Sequence, residues 1–178
     1  NASFLADVLQ NFLEAYLLDK DRYFKMVYDF PVANGNLKKI LEGKLDEASL
    51  KYWKEVIEKI IEAGTYTATG MNRQSPIIIA VTNKEIRDRL SAANCKIGGW
   101  NEGFDPFYGA PAILIVLANK EMPTYIYDGS MVMGNLTLAA HAEGLGSCWI
   151  HRAKEEFETP EWKEWLHSLG IEGEYEGI

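Results

Sequence analysis

The chain has 178 residues, the length of one domain, and carries 18 Lys and Arg residues against 26 Asp and Glu residues, a net charge of −8. This charge argues against binding to nucleic acid or to an anionic membrane. No apolar run is long enough to cross a bilayer, and no signal peptide opens the chain. The two cysteines, Cys95 and Cys148, form neither a CxxC motif nor a metal-ligand cluster, so we expect a soluble, cytoplasmic protein without a metal site.

The first 30 residues predict one helix and one strand. Residues 4–18 place large apolar side chains at helical spacing, on a stripe too wide for a helix that stands alone. Residues 23–30 then alternate between apolar and polar, which is typical of a strand with one buried face. The helical stripe predicts packing either on this domain's core or on another subunit.

The next elements are marked by periodicity and by their ends. Residues 46–64 predict an amphipathic helix that stops at Gly64, followed by a polar loop to residue 76 and an apolar strand at 77–81. Thr82 and Glu85 have the spacing of a capping box for a helix to about residue 93. Residues 112–118 predict a buried strand, and Pro160 the first turn of a last helix that Gly170 ends. Few, buried strands among helices indicate an α+β or α/β class.

Residues 128–152 are the stretch around which we expect the domain to be organised. Apolar residues lie almost all the way round a helical period, which predicts a helix buried in the middle of the domain. Asp128 or Ser130 is expected to cap its start, and Gly144 to end it in the left-handed conformation. Residues 146–150 predict a short strand. Such a turn lets backbone approach a flat ligand; a tight turn without a ligand is the alternative.

Three stretches together resemble the FMN-dependent nitroreductase family. They are the helix and Asn72-x-Gln74 loop within residues 60–76, the Ala110-Pro111 opening of the strand at 112–118, and residues 128–150 with Gly144-Leu-Gly-Ser-Cys148. The resemblance covers about residues 50–170, in the family's order. It implies an α+β fold in which a central, mostly antiparallel sheet is flanked by helices around a buried core helix. We expect one nitroreductase-like domain over 1–178, with a family-like core at 46–178 and an atypical N-terminal segment at 1–45.

The resemblance also implies an FMN site built from two segments. Its expected cofactor-binding residues are Asn72, Arg73, Gln74, Trp149, Ile150, His151 and Arg152. An amide such as Asn72 offers a donor and an acceptor to the pyrimidine edge of the flavin, and a backbone N–H of the second segment would face its N5 atom. The alternatives are a loop-stabilising role for Asn72 or Gln74 and an exposed surface position for His151 or Arg152.

Two parts of the family pattern are missing from the sequence. Residues 1–49 contain no Arg-x-Ser-x-Arg segment to grip the FMN phosphate, and the chain stops where family members continue into a further strand. A phosphate needs cationic groups or a helix N-terminus to replace its hydration. The basic candidates for a different phosphate contact are Arg22, Lys25, Lys38 and Lys39, whose alternative role is a solvated surface.

The function that the resemblance implies is an FMN-dependent oxidoreductase. NAD(P)H would reduce FMN, which would reduce a nitroaromatic, quinone or enone acceptor in ping-pong fashion. No catalytic side chain is expected, because the flavin carries the chemistry. The resemblance also implies a homodimer with the flavin at its interface, and residues 94–110 are the candidate lid or substrate wall. The alternative is a non-catalytic dimeric binding or assembly module that has lost FMN.

Overall fold

The computed structural model describes residues 47–178, and their side chains from Trp53 onward. The predicted helix at 4–18 and strand at 23–30 lie outside the described residues. The elements in chain order are α1 (Glu47–Thr65), a 3-10 turn (Gly70–Asn72), β1 (Ile77–Val81), α2 (Lys84–Ile97), β2 (Ile113–Asn119), α3 (Tyr125–Ala142), α4 (Ala153–Phe157), α5 (Pro160–Ser168) and β3 (Tyr175–Gly177).

The three strands form one antiparallel sheet with β2 in the centre. Ile77 of β1 lies opposite Leu117 of β2, and Leu117 lies opposite Gly177 of β3. Because both faces of the sheet are covered, β2 is apolar from Ile113 to Ala118, and its side chains alternate between two cores: Ile115 and Leu117 on one face, Val116 on the other. The sheet therefore separates two groups of helices.

One core lies between the sheet and α2, α4 and α5. Its centre is Trp162, which is 1% exposed and contacts Phe157 and Trp165, both in edge-on ring geometry. The buried members are Val81, Leu90, Phe107, Ile115, Leu117, Phe157, Trp162 and Leu166. Gly177 lets β3 approach α4, because a Cβ there would lie 2.5 Å from the backbone of Ala153.

The other core lies on the opposite face, between the sheet, α1 and α3. It contains Val56, Ile60, Val116, Val132, Leu136 and Ala140. Val116 is fully buried at the contact of all three elements. The last turn of α1 approaches α3 closely at Gly64, where a Cβ would lie 2.7 Å from the Leu136 side chain.

Most of the predicted elements within the described residues are confirmed. The helices expected at 46–64 and from Pro160, and the strands expected at 77–81 and 112–118, form within one or two residues of their predicted bounds. The α+β class with an antiparallel sheet is also confirmed. The cap of α2 is Asn83 instead of Thr82, since the Asn83 Oδ1 accepts a hydrogen bond from the Ile86 N–H at 3.0 Å.

Two predictions about residues 128–152 are wrong. The helix α3 begins before Asp128, and only one of its faces packs on the sheet and α1, so Tyr127, Met131 and Leu138 are exposed. Residues 146–150 form no strand, because no described strand lies beside them to pair with their backbone. Gly144 does end the helix in the left-handed conformation, with φ of 77°. The short helix α4 and the strand β3 had no clear signal in the sequence.

Among the residues that the structure describes, no helix is long and apolar enough to cross a membrane.

Candidate functional site

The loop that carries Asn72 has a strained backbone. Met71, Asn72 and Gln74 all have positive φ values, of 54°, 54° and 50°. Non-glycine residues rarely adopt this conformation, and such positions persist only where surrounding contacts hold them. The side chains of residues 71–74, including Arg73, are exposed. The loop therefore presents its polar groups to solvent in a fixed, unusual conformation.

Helix α3 supplies the contacts that hold this loop. The buried carboxylate of Asp128 accepts hydrogen bonds from the Gly70 backbone N–H at 2.9 Å and from the Thr124 hydroxyl at 2.8 Å. Two helical turns further along α3, the Asn135 amide donates to the Thr67 hydroxyl at 2.8 Å. Gly70 is needed for this approach, since a Cβ there would lie 2.2 Å from the Thr124 hydroxyl oxygen. The first half of the loop is thus anchored on α3 at Thr67 and Gly70.

Gln74 and Asn72 have different roles within the loop. The Gln74 side-chain amide donates to the Thr67 carbonyl at 3.1 Å and to the Asn72 Oδ1 at 3.2 Å, so Gln74 stabilises the loop. Its own backbone N–H donates to the Thr69 hydroxyl. The Asn72 amide nitrogen donates to no group in the described part of the chain. Both N–H groups of the Asn72 side chain are therefore without a protein acceptor among the described residues.

The second predicted segment alternates between core and surface. Ile150 packs against the core of α2, α4 and α5. Trp149 and His151 point outward and stack on each other, with ring centres 5.6 Å apart and ring planes 14° apart. The backbone N–H groups of residues 149–152 donate to no group in the part of the chain that the structure describes. The segment therefore combines a flat aromatic surface with unused backbone donors.

Arg152 is tied to the protein and is no solvated surface charge. Its φ is 84°, its Nε donates to the Asn94 Oδ1 at 3.0 Å, and its guanidinium carbon lies 4.4 Å from the centre of the Trp100 ring. Asn94 is 1% exposed and donates to the His151 carbonyl at 3.1 Å and to the Glu156 Oε2 at 3.3 Å. One buried amide from α2 thus contacts three neighbouring residues of this segment.

Glu156 is buried beside this amide. Burial raises the pKa of Glu156 to about 7, although the hydrogen bond from Asn94 and the charge of Arg152 act in the opposite direction. Its Oε1 is buried and has no hydrogen-bond partner among the described residues. Sequence reasoning missed Asn94 and Glu156. The available signal was a polar residue at a core-facing position, since Asn94 lies one helical turn after the buried Leu90.

The candidate lid at residues 94–110 is anchored by ionic contacts. Arg87 donates to the Asp105 carboxylate and, at 2.9 Å, to the Ala110 carbonyl. Burial acts to raise the pKa of Asp105, but hydrogen bonds from Arg87, Ser91 and two backbone N–H groups outweigh it and lower that pKa to about 2. The exposed aromatics of the segment contact one another in series: Trp100 with Phe104, and Phe104 with Tyr108. They form a fixed wall next to Arg152.

Two separate segments of the protein offer groups of the kind that a flavin ring requires. Asn72 offers free amide donors on one loop, and residues 149–152 offer free backbone donors and stacked rings on another. No hydrogen bond or ring contact joins the two segments within residues 53–178. The Asn72 loop is anchored by α3, and the segment at 149–152 is anchored by α2. The predicted phosphate contacts Arg22, Lys25, Lys38 and Lys39 lie outside the described residues.

Comparison with known proteins shows that the chain is similar to nitroreductases. Residues 100–172 match the model of the nitroreductase family. The structure is similar to a nitroreductase with bound FMN from Bacteroides fragilis, with 27% identity over 69% of this chain and 73% of that chain and a TM-score of 0.60. It is also similar to an FMN-dependent nitroreductase from Clostridium difficile, with 28% identity over 70% of this chain and 70% of that chain and a TM-score of 0.55. A nitroreductase with bound FMN from Desulfitobacterium hafniense has 24% identity over 69% of this chain and 72% of that chain and a TM-score of 0.60.

No curated protein matches the chain. The family match includes the aromatic wall, the helix α3 and the whole of the Trp149–Arg152 segment. The chain is therefore nitroreductase-like in fold, and over residues 100–172 it carries the sequence pattern of the nitroreductase family.

Proposed function

We propose that this chain is an FMN-dependent oxidoreductase. The observation that carries the proposal is the row of unused backbone N–H groups at residues 149–152, beside the stacked rings of Trp149 and His151. A flavin needs a flat surface and a few donors aimed at its edge. The resemblance to an FMN-bound nitroreductase at 27% identity supports the same cofactor here.

The seven predicted residues would divide the work of holding FMN. Asn72 would donate to the pyrimidine edge, and Arg73 and Gln74 would shape its loop. Trp149, Ile150, His151 and Arg152 would support the other side of the ring. Bound FMN would supply hydride transfer, and the protein would supply binding, orientation and exclusion of water.

The reductant and the acceptor follow from the same proposal. We expect NAD(P)H to reduce the flavin, and a nitroaromatic, quinone or enone to accept the electrons in a ping-pong cycle. Flat acceptors suit the aromatic wall of Trp100, Phe104 and Tyr108, whose exposed fractions are 40%, 41% and 74%. No catalytic side chain is proposed. The cysteine usage favours a cytoplasmic location.

The second copy of the chain is proposed to cover α3. Tyr127, Met131 and Leu138 follow one another at spacings of four and seven residues on one face, and they are 73%, 55% and 67% exposed. Large apolar side chains in a row on an exposed helix are typical of an interface. A homodimer over this face would bury them next to the Asn72 loop, which the same helix anchors.

The test is the absorbance spectrum of the purified protein, before and after anaerobic addition of NADH or NADPH. Flavin bands that bleach on reduction would support the proposal. A protein that stays colourless and does not bind added FMN would overturn it, and a non-catalytic module on this scaffold would then be the better description.

The role of Asn72 can be tested with a variant of the same size. Asn72→Asp keeps the acceptor, loses both donors and adds a negative charge. We expect its dissociation constant for FMN to rise about tenfold or more, since one hydrogen bond to a ligand is worth about 1.4 kcal/mol. Asn119→Asp is the charge-matched control, because its oxygen can still accept the hydrogen bond from the Glu121 N–H. Equal affinities of the two variants would exclude Asn72 from the site.

A further inference from the structure

Asn94 makes three side-chain hydrogen bonds, all of them to one short segment. Its Oδ1 accepts from the Arg152 Nε at 3.0 Å, and its Nδ2 donates to the His151 carbonyl at 3.1 Å and to Glu156 at 3.3 Å. A neutral side-chain amide has one acceptor oxygen and two N–H donors, so all three functions are in use. The side chain is 1% exposed, so water does not compete for these bonds.

The bond to the His151 carbonyl fixes a peptide plane. In a trans peptide the C=O of one residue and the N–H of the next point in opposite directions. Because the His151 carbonyl points to Asn94, the Arg152 N–H points away from α2. That N–H donates to no group among the described residues. The left-handed φ of 84° at Arg152 belongs to the same peptide orientation and is costly for a residue with a Cβ.

We propose that Asn94 is a positioning residue for the flavin: by holding the His151 carbonyl, it keeps the Arg152 N–H aimed outward, toward the N5 edge of the ring. This inference rests on the proposed function. Asn94 touches no cofactor itself and acts through the peptide between His151 and Arg152. Glu156 takes the second N–H of the amide and fixes its orientation.

The side chains around Asn94 explain why an amide is required. A leucine would leave the His151 carbonyl, the Arg152 Nε and the Glu156 carboxyl buried without partners. An aspartate would keep the bond to Arg152 but could not donate to the carbonyl, and it would face Glu156 with a like charge. In both cases the peptide would be free to turn, since the strained φ of Arg152 would no longer be compensated.

The experiment compares Asn94→Asp with Leu90→Val. The control changes a buried residue one turn earlier on α2 and destabilises the core without touching the peptide. Dissociation constants for oxidised and reduced FMN are measured for both. Oxidised N5 is an acceptor and reduced N5 carries a hydrogen, so loss of the aimed N–H weakens the oxidised complex more. We expect the ratio of the two constants to change about fivefold in Asn94→Asp and to stay at the wild-type value in Leu90→Val.

A conservative variant and a readout without flavin complete the test. Glu156→Gln can still accept from Asn94 and should keep the wild-type ratio. NMR relaxation of the His151 and Arg152 backbone amides in the apoprotein should show larger ps–ns motion in Asn94→Asp and not in Leu90→Val. If Asn94→Asp does not fold, Asn94→Ser, with a single weak donor, should change the ratio in the same direction.

The outcomes separate the two proposals. Wild-type protein that binds no FMN overturns the proposed function and, with it, the flavin role of Asn94; the relaxation data then show whether the peptide is held at all. Wild-type protein that binds FMN, together with an unchanged ratio and unchanged amide relaxation in Asn94→Asp, overturns the positioning role alone.

Discussion

The carboxylate of Asp128 accepts the backbone N–H of Gly70 at 2.9 Å, across 58 positions of sequence. This contact joins the exposed helix face proposed for the dimer to the loop that presents Asn72. The same carboxylate accepts the Thr124 hydroxyl, so two donors hold it while it is 5% exposed. The conformation of the loop that carries Asn72 is therefore set in part by a buried residue of α3.

Removal of the Asp128 carboxylate should release this loop. We expect Asp128→Ala to lower the free energy of unfolding by about 1–3 kcal/mol, because it leaves the Gly70 N–H and the Thr124 hydroxyl without their acceptor. The affinity for FMN should fall with it. Urea unfolding and FMN titration measure the two effects. Ser130→Ala on the same helix is the control, since the Ser130 hydroxyl donates to the Ile126 carbonyl of its own helix. FMN affinities that match between the two variants would contradict the role of Asp128.

Asp105 should stabilise the aromatic wall in a pH-dependent manner. Its pKa falls from the usual 3.8 to about 2 in the folded protein. A lowered carboxyl pKa gives stability that is complete above about pH 4 and is lost as the pH falls toward 2. We expect the difference in unfolding free energy between wild type and Asp105→Asn to shrink over this range by about 1–2 kcal/mol, after allowance for solvent screening. A difference that stays constant from pH 4.5 to pH 2 would contradict this prediction.

Glu156 should have the opposite pH dependence. Its pKa rises from the usual 4.5 to about 7, so the folded protein keeps a proton that the unfolded chain has released between these values. Stability therefore falls as the pH rises from about 4.5 to 7 and then levels off. Glu156→Gln removes this loss, and its stability relative to wild type should increase by up to about 3 kcal/mol between pH 5 and pH 8. Denaturant unfolding at the two pH values provides the measurement. If the unfolding free energies of Glu156→Gln and wild type differ by the same amount at pH 5 and pH 8, Glu156 is already ionised at pH 5.

A charge on the exposed face of α3 should prevent dimer formation. Leu138 is 67% exposed in the single chain, so Leu138→Glu costs little in the monomer but places an unpaired carboxylate in the proposed interface. We expect sedimentation to give a dimer for wild type and a monomer for the variant. Leu169→Glu is the control, because Leu169 is 50% exposed at the end of α5. A wild-type monomer, or a Leu138→Glu dimer, would exclude this face as the interface.

The sequence by itself determined the elements of the described core. The periodic placement of Leu50, Val56 and Ile60, the apolar run of β2 and the Pro160 start are local signals, because helix and strand periods are set by neighbouring residues. The order of three motifs was sufficient to indicate the fold, and the antiparallel sheet agrees with it. The seven site residues remain predictions, although the structure places each of them on the two exposed segments.

Tertiary structure decided what local patterns could not. Residues 146–150 have the composition of a strand, but a strand needs a partner edge, and only the fold determines whether one is present. The exposure of Met131 and Leu138 likewise depends on which face of α3 meets the sheet. The hydrogen bonds of the site join residues that are far apart in sequence. Asn94 bonds His151 and Glu156, 57 and 62 positions away, and Asp128 bonds Gly70, 58 positions away. Hydrogen bonds and buried charges act over a few ångströms in space, and a sequence pattern contains no information on which distant residues the fold brings that close.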